Sequence, residues 1–148
     1  MVEVERRRRW MSVLATTAPA SLEAFRERLD PRPAYDFLRR PETGLVMVRG
    51  RAGGTGMRFN LGEIPVTRCS IRLDDGTVGH AYVGGRDARH AELAALFDAL
   101  LQSDGRRAEI EARLIEPLAA FRQARRQAAA ARSAPTRVEF FTMVRGGE

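Results

Sequence analysis

The chain has 148 residues, 44% of them apolar, and sets 25 basic against 19 acidic groups for a net charge of +6. That length predicts one domain over residues 1–148 with a core large enough to need no disulfide staple, and the single Cys69 has no partner to form one. No run approaches the roughly 20 apolar residues that span a bilayer, and none has the form of a signal peptide, so a cytoplasmic protein without membrane contact is expected.

Every basic residue is an arginine and none is a lysine. The charge predicts affinity for anions: phosphorylated ligands, nucleic acid or an acidic partner. Nucleic acid is disfavoured, because the arginines are scattered and neither zinc-finger spacing nor an aromatic RNA-binding strand motif is present.

Residues 5–17 predict a short helix with Trp10, Met11, Val13 and Leu14 as its apolar face, behind the run Arg6 to Arg9 read as a solvated helix start. Ser21 then predicts the cap of a second helix over Leu22 to Leu29, which Asp30-Pro31-Arg32-Pro33 ends. Ala34 to Arg40 alternates loosely, Pro41-Glu42-Thr43-Gly44 reads as a turn, and Leu45 to Arg49 as a strand.

The segment Arg49-Gly50-Arg51-Ala52-Gly53-Gly54-Thr55-Gly56-Met57-Arg58-Phe59 follows, with four glycines and three arginines. Glycines let backbone N–H groups converge on an anion, and arginines add fixed positive charge. Arg51, Gly53, Gly54, Gly56 and Arg58 are therefore candidate phosphate-binding residues. The loop lacks the lysine of a Walker A motif and the glycine that a dinucleotide fingerprint would place at Phe59, so a purely structural hairpin loop stands beside the anion-nest reading.

Arg58 to Leu61 is extended, and Pro65 to Leu73 alternates, with Thr67, Cys69, Ile71 and Leu73 on one face. Cys69 reads as a small buried hydrophobe. Asp74-Asp75-Gly76 is a hairpin signal. With Asp75-Gly76 as a two-residue turn, Leu73 faces Val78, Ile71 faces His80 and Cys69 faces Tyr82, which puts His80 half-buried among apolar residues. Asp87 is a strong N-cap for a helix over Ala88 to Gln102, with Leu93, Ala94, Phe97, Leu100 and Leu101 as its core stripe.

Gly85-Arg86-Asp87-x-x-His90-x-Glu92 gathers an arginine and a histidine at that helix start, where unpaired N–H groups favour anions. Arg86 joins the candidate phosphate-binding set, and His90 is a candidate acid or base. The opposing reading is a capped helix with His90 packed at its entrance. His90 and Glu92 have the wrong spacing for a metal pair, and no serine or threonine stands near a His–Asp pair. No catalytic residue and no metal ligand is assigned.

A last helix runs from about Arg107 to Arg132, with Ile110, Leu114, Leu118 and Phe121 on one face and a kink at Pro117. Its second half, Arg122 to Arg132, is alanine and arginine, a stretch for a partner or for solvent. Ser133-Ala134-Pro135 ends it, and Val138 to Gly146 is strand-like and too apolar for a free terminus. The expected class is α+β: an N-terminal helical hairpin, a mostly antiparallel sheet, two C-terminal helices and a final strand-like tail.

Several blocks together resemble the PhnG family, part of the bacterial carbon–phosphorus lyase system: Arg9-Trp10-Met11-Ser12-Val13-Leu14-Ala15, Glu42-Thr43-Gly44-Leu45-Val46, Arg51-Ala52-Gly53-Gly54-Thr55-Gly56, Asp75-Gly76-Thr77-Val78-Gly79, Gly85-Arg86-Asp87 with His90-Ala91-Glu92, and Phe140-Phe141-Thr142-Met143-Val144-Arg145-Gly146. The resemblance implies a non-autonomous subunit of a transferase complex in phosphonate catabolism. It implies action with PhnI, PhnH and PhnL to move the ribose triphosphate of ATP onto methylphosphonate, with adenine leaving. It also implies a core assembly with PhnH, PhnI and PhnJ, ATP as substrate of the complex, and no cofactor of the chain's own. Within such a complex the chain is expected to scaffold PhnI, its N-terminal helix and C-terminal tail docked on partners. The alternative is a stand-alone anion- or RNA-binding module.

Overall fold

In the computed structural model, residues 3–51 and 58–146 are described, with side chains described at 3–50 and 61–132. The elements run α1 (Val4–Thr16), α2 (Pro19–Glu27), β1 (Tyr35–Arg51), β2 (Arg58–Leu73), β3 (Val78–Gly84), α3 (Ala88–Leu101), α4 (Asp104–Ile110), a π turn (Glu111–Ile115) and α5 (Glu116–Gly146). The three strands form one antiparallel sheet in the order β1-β2-β3. The class is α+β, as expected.

The core lies between the sheet and the helices. Thr67, Cys69, Ile71 and Leu73 of β2 and Ala81 and Val83 of β3 are all buried, so the alternation legible in β2 marks the inner face correctly. α3 lies across that face and is buried nearly all round from His90 to Leu101. At Gly79 of β3 the sheet and helix pack backbone to backbone: a Cβ there would lie 2.0 Å from the Ala95 carbonyl oxygen. α1 adds Trp10, Val13 and Leu14 to the core, and α2 adds Leu22.

The structure departs from expectation at several places. Ser21 is not the cap of α2: the helix starts at Pro19, whose fixed φ suits a first helical position. Pro41 to Gly44 is not a turn. β1 runs through it with register shifts between Phe37 and Arg39 and between Arg39 and Glu42, because an edge strand tolerates a proline and absorbs it in bulges.

The β2–β3 hairpin is one residue longer than a two-residue turn. Gly76 N–H donates to Leu73 O at 2.9 Å, Leu73 N–H donates to Thr77 O at 2.8 Å, and Gly76 takes φ +91°. This is a three-residue loop with glycine in the left-handed position. Ser70 therefore pairs with His80 and Cys69 with Ala81. A one-residue shift turns every side chain to the opposite face, so His80 is exposed on the outer face, with Nδ1 2.7 Å from Ser70 Oγ.

A π turn directly precedes Pro117, whose ring has no N–H and crowds the preceding turn. The extra residue in that turn buries Ile115 beside Leu114 and leaves Phe121 exposed, with Arg125 over its ring. The segment Val138 to Gly146, expected to be strand-like, continues α5 as helix. The alanine-rich stretch before it has the highest helix propensity in the chain and propagates the helix through Pro135.

Candidate functional site

Beyond Pro65 the sheet narrows to a two-stranded ribbon. β2 pairs with β3 only from Val66 onward, whereas its pairing with β1 continues out to Arg51 opposite Arg58. The glycine–arginine segment thus connects the far ends of the ribbon. Arg51 and Arg58 are paired backbone positions there; Gly53, Gly54 and Gly56 lie outside the described residues. The ribbon is apolar on both faces. Leu45 and Met47 occupy one face and Val46, opposite Ile64, the other, and all four are exposed. A two-stranded ribbon has little stability of its own in water, and among the described residues these apolar side chains are left uncovered.

The second candidate cluster is at the base of this ribbon, where β3 ends opposite Val66. Gly85 N–H donates to Pro65 O at 2.9 Å, which places Arg86 and α3 at the base of the ribbon. Seven residue steps along β2 separate that point from Arg58, about 23 Å at ~3.3 Å per residue. The structure therefore does not bring Arg86 or His90 to Arg51 and Arg58.

Asp87 caps α3 as expected, accepting from His90 N–H at 3.0 Å. The His90 ring is buried, with Nε2 2.8 Å from the Leu14 carbonyl, so it donates there and ties α3 to α1. Glu92 serves a different group. It accepts the Tyr35 hydroxyl and pairs with Arg89, which also grips Glu23 of α2 through two bonds of 2.9 and 2.8 Å. Burial, reinforced by the Glu92 carboxylate, pushes the Tyr35 phenol up. Arg86 is exposed.

The group that sequence reasoning missed is Asp98. It is fully buried on α3, inside the apolar stripe. Arg7 donates to it through Nε and Nη2 at 3.1 and 2.8 Å, Trp10 Nε1 donates at 2.8 Å, and the backbone N–H of His80 at 2.9 Å. Four donors satisfy one carboxylate and join α1, α3 and β3. Gln102 reaches the same strand edge, donating to Val78 O at 2.8 Å, so the helix protects the outer edge of β3.

The Arg6–Arg9 run is the solvated helix start expected, with Arg6, Arg8 and Arg9 exposed, but it is also cross-linked to other elements. Arg6 pairs with Glu111 and Arg9 with Glu116, each at 2.7 Å, so three of its four arginines reach other elements. The signal for these contacts was an isolated acid at helical spacing within an apolar stripe, and a basic run on the same helix as a buried tryptophan.

Among the described residues no helix is long and apolar enough to cross a membrane. A family model described as "Phosphonate metabolism protein PhnG" matches residues 5–146. The α-D-ribose 1-methylphosphonate 5-triphosphate synthase subunit PhnG of Rhizobium meliloti (strain 1021) is 48% identical over 143 residues, covering 97% of this chain and 91% of the relative.

Proposed function

The chain belongs to the PhnG family of phosphonate-metabolism proteins, and from that premise we propose that it is a subunit of an α-D-ribose 1-methylphosphonate 5-triphosphate synthase. The observation that carries the reading is the near-full-length relative at 48% identity, which bears that name. In this reading the chain acts with PhnI, PhnH and PhnL in transferring the ribose triphosphate of ATP to methylphosphonate, and PhnI holds most of the chemistry.

The geometry supports an accessory role. Among the described residues, the buried histidine and the buried carboxylate are already engaged within the fold: His90 on the Leu14 carbonyl and Asp98 on Arg7, Trp10 and His80. The exposed apolar ribbon, by contrast, is what a subunit presents to a partner. The docked segments are then the ribbon, the outer face of α1 and the tail beyond residue 136.

The test is reconstitution of the synthase from purified PhnI, PhnH and PhnL with and without this chain. Adenine release from ATP is followed in the presence of methylphosphonate. The complete mixture should release adenine, and this chain alone should release none. An unchanged rate when the chain is omitted would sink the proposal.

A further inference from the structure

A cavity of about 380 Å³ opens between the end of α1, the start of α2 and the first turns of α5. Arg122, Arg125, Arg126 and Arg132 line it, all from α5. Their spacing of three, four and six to ten residues sets them along one face of the helix. Among the described residues, no carboxylate lies within ion-pair distance of any of the four, whereas Arg6, Arg7, Arg9 and Arg89 each hold one. Like charges on neighbouring turns repel. Burial, with the charges of Arg126 and Arg9 nearby, holds the Arg122 guanidinium below its usual range.

The opposite wall adds to the positive potential. α2 begins at Pro19 without a side-chain cap, so the positive end of its dipole faces the cavity at Ala18 and Ser21. Arg122 donates to Ser12 Oγ at 2.8 Å and Thr16 Oγ1 at 3.2 Å, neutral acceptors that leave its charge uncompensated. The floor, in contrast, is apolar: Leu118 and the exposed Phe121 lie over the buried Val13. A cationic rim over an apolar floor is complementary to a segment carrying both carboxylates and apolar side chains, whereas a bare phosphate would leave the floor unfilled.

We propose that this cavity is a docking site for an acidic, amphipathic segment of a partner protein, whose carboxylates pair with Arg122, Arg125, Arg126 and Arg132 while its apolar side chains cover Leu118 and Phe121. This rests on the subunit reading above, in which the partner is another component of the synthase.

The experiment compares the full-length wild-type chain with R126E/R132E, since neither side chain makes an ion pair or side-chain hydrogen bond among the described residues. Each is titrated onto PhnI and PhnH, together and singly, at two salt concentrations, with circular dichroism and Tm reporting the fold. The neutral variant R126Q/R132Q stands in if the charge reversal destabilises the chain. The docking site predicts wild-type binding that weakens with salt, a loss of about tenfold or more for the reversed variant, and a smaller loss for the neutral one. Equal affinity of variant and wild type overturns the proposal. So does tripolyphosphate raising the Tm of the wild type alone, but not of the variant, while assembly of the variant is intact; the cavity is then a phosphate site. A wild-type chain that binds none of the subunits removes the synthase reading and this proposal with it.

Discussion

The Asp98 carboxylate on α3 and the Arg7 guanidinium on α1 meet in a two-point ion pair, 3.1 and 2.8 Å, with the carboxylate fully buried and the arginine at its rim. The same carboxylate accepts from Trp10 and from the edge of β3, so one side chain fixes how α1, α3 and the sheet are packed. Replacing it leaves a guanidinium, an indole N–H and a backbone N–H without their acceptor. Asp98→Ala is expected to cost about 3–5 kcal/mol, the range for a broken buried pair. Urea denaturation of the chain measures this, and a loss below about 1 kcal/mol would show that the network is not what holds the layers together.

At Gly79, β3 lies too close to α3 to admit a side chain. A Cβ at this position would stand 2.0 Å from the Ala95 carbonyl oxygen and 2.8 Å from the Ala99 nitrogen. Both are backbone atoms of a buried helix and have no freedom to rotate away. Gly79→Ala should therefore destabilise by the upper end of the ~1–3 kcal/mol typical of overpacking, or more. A Tm within one degree of the wild type would mean that the helix slides away without penalty.

What was legible in the sequence followed from strong local signals. The period-2 run Thr67 to Leu73 identifies the inner face of β2 because alternation has no other stable solution in a half-buried strand. Asp87 identifies the start of α3 because a short carboxylate before a helix satisfies an orphan N–H. The hairpin register was not legible: Asp74-Asp75-Gly76 serves both a two- and a three-residue loop, and packing of Gly79 on α3 decides between them. Asp98 was missed because a helical pattern treats an acid as surface unless its donors, 88 and 91 residues away in sequence, are known. The candidate site divided in the same way. The glycine–arginine loop was placed correctly between two strands, while its separation from Arg86 and His90 depends on the length of ribbon beyond β3.

Cys69 faces the core, and burial pushes its thiol up to about 11, from an ordinary value near 9.0. The folded state thus favours the protonated thiol. A raised folded value means that the folded chain holds the proton over a pH range in which the unfolded chain has lost it. Stability from this group is then full below about pH 9 and declines as pH rises toward 11, by up to about 1.4 kcal/mol per pH unit. Cys69→Ala should remove that decline. A disulfide reagent at pH 8 should label the native chain slowly and label one thiol at once in denaturant. Rapid labelling of the native chain would contradict the burial.

Arg51 and Arg58 sit opposite each other at the end of the ribbon, about 23 Å of strand beyond Pro65, where Gly85 and Arg86 leave the sheet. If these two lend charge to a triphosphate held mainly by another subunit, their role must be separable from assembly. The exposed Leu45, Val46, Met47 and Ile64 lie closer to the sheet, and in the subunit reading they are the apolar contact area. Arg51→Ala with Arg58→Ala should then leave subunit co-purification unchanged and reduce adenine release by at least tenfold, chiefly by raising KM for ATP, since loss of a ground-state phosphate contact weakens binding. Arg86→Ala, remote from the ribbon's end, should leave KM for ATP near the wild-type value. In contrast, Val46→Asp with Ile64→Asp puts two like charges directly opposite each other on one face of the ribbon and should abolish co-purification altogether. A double arginine variant with wild-type kcat and KM would exclude the phosphate role and leave the loop as the tip of a docking arm. An aspartate variant that still assembles would show that the ribbon is not the docking surface.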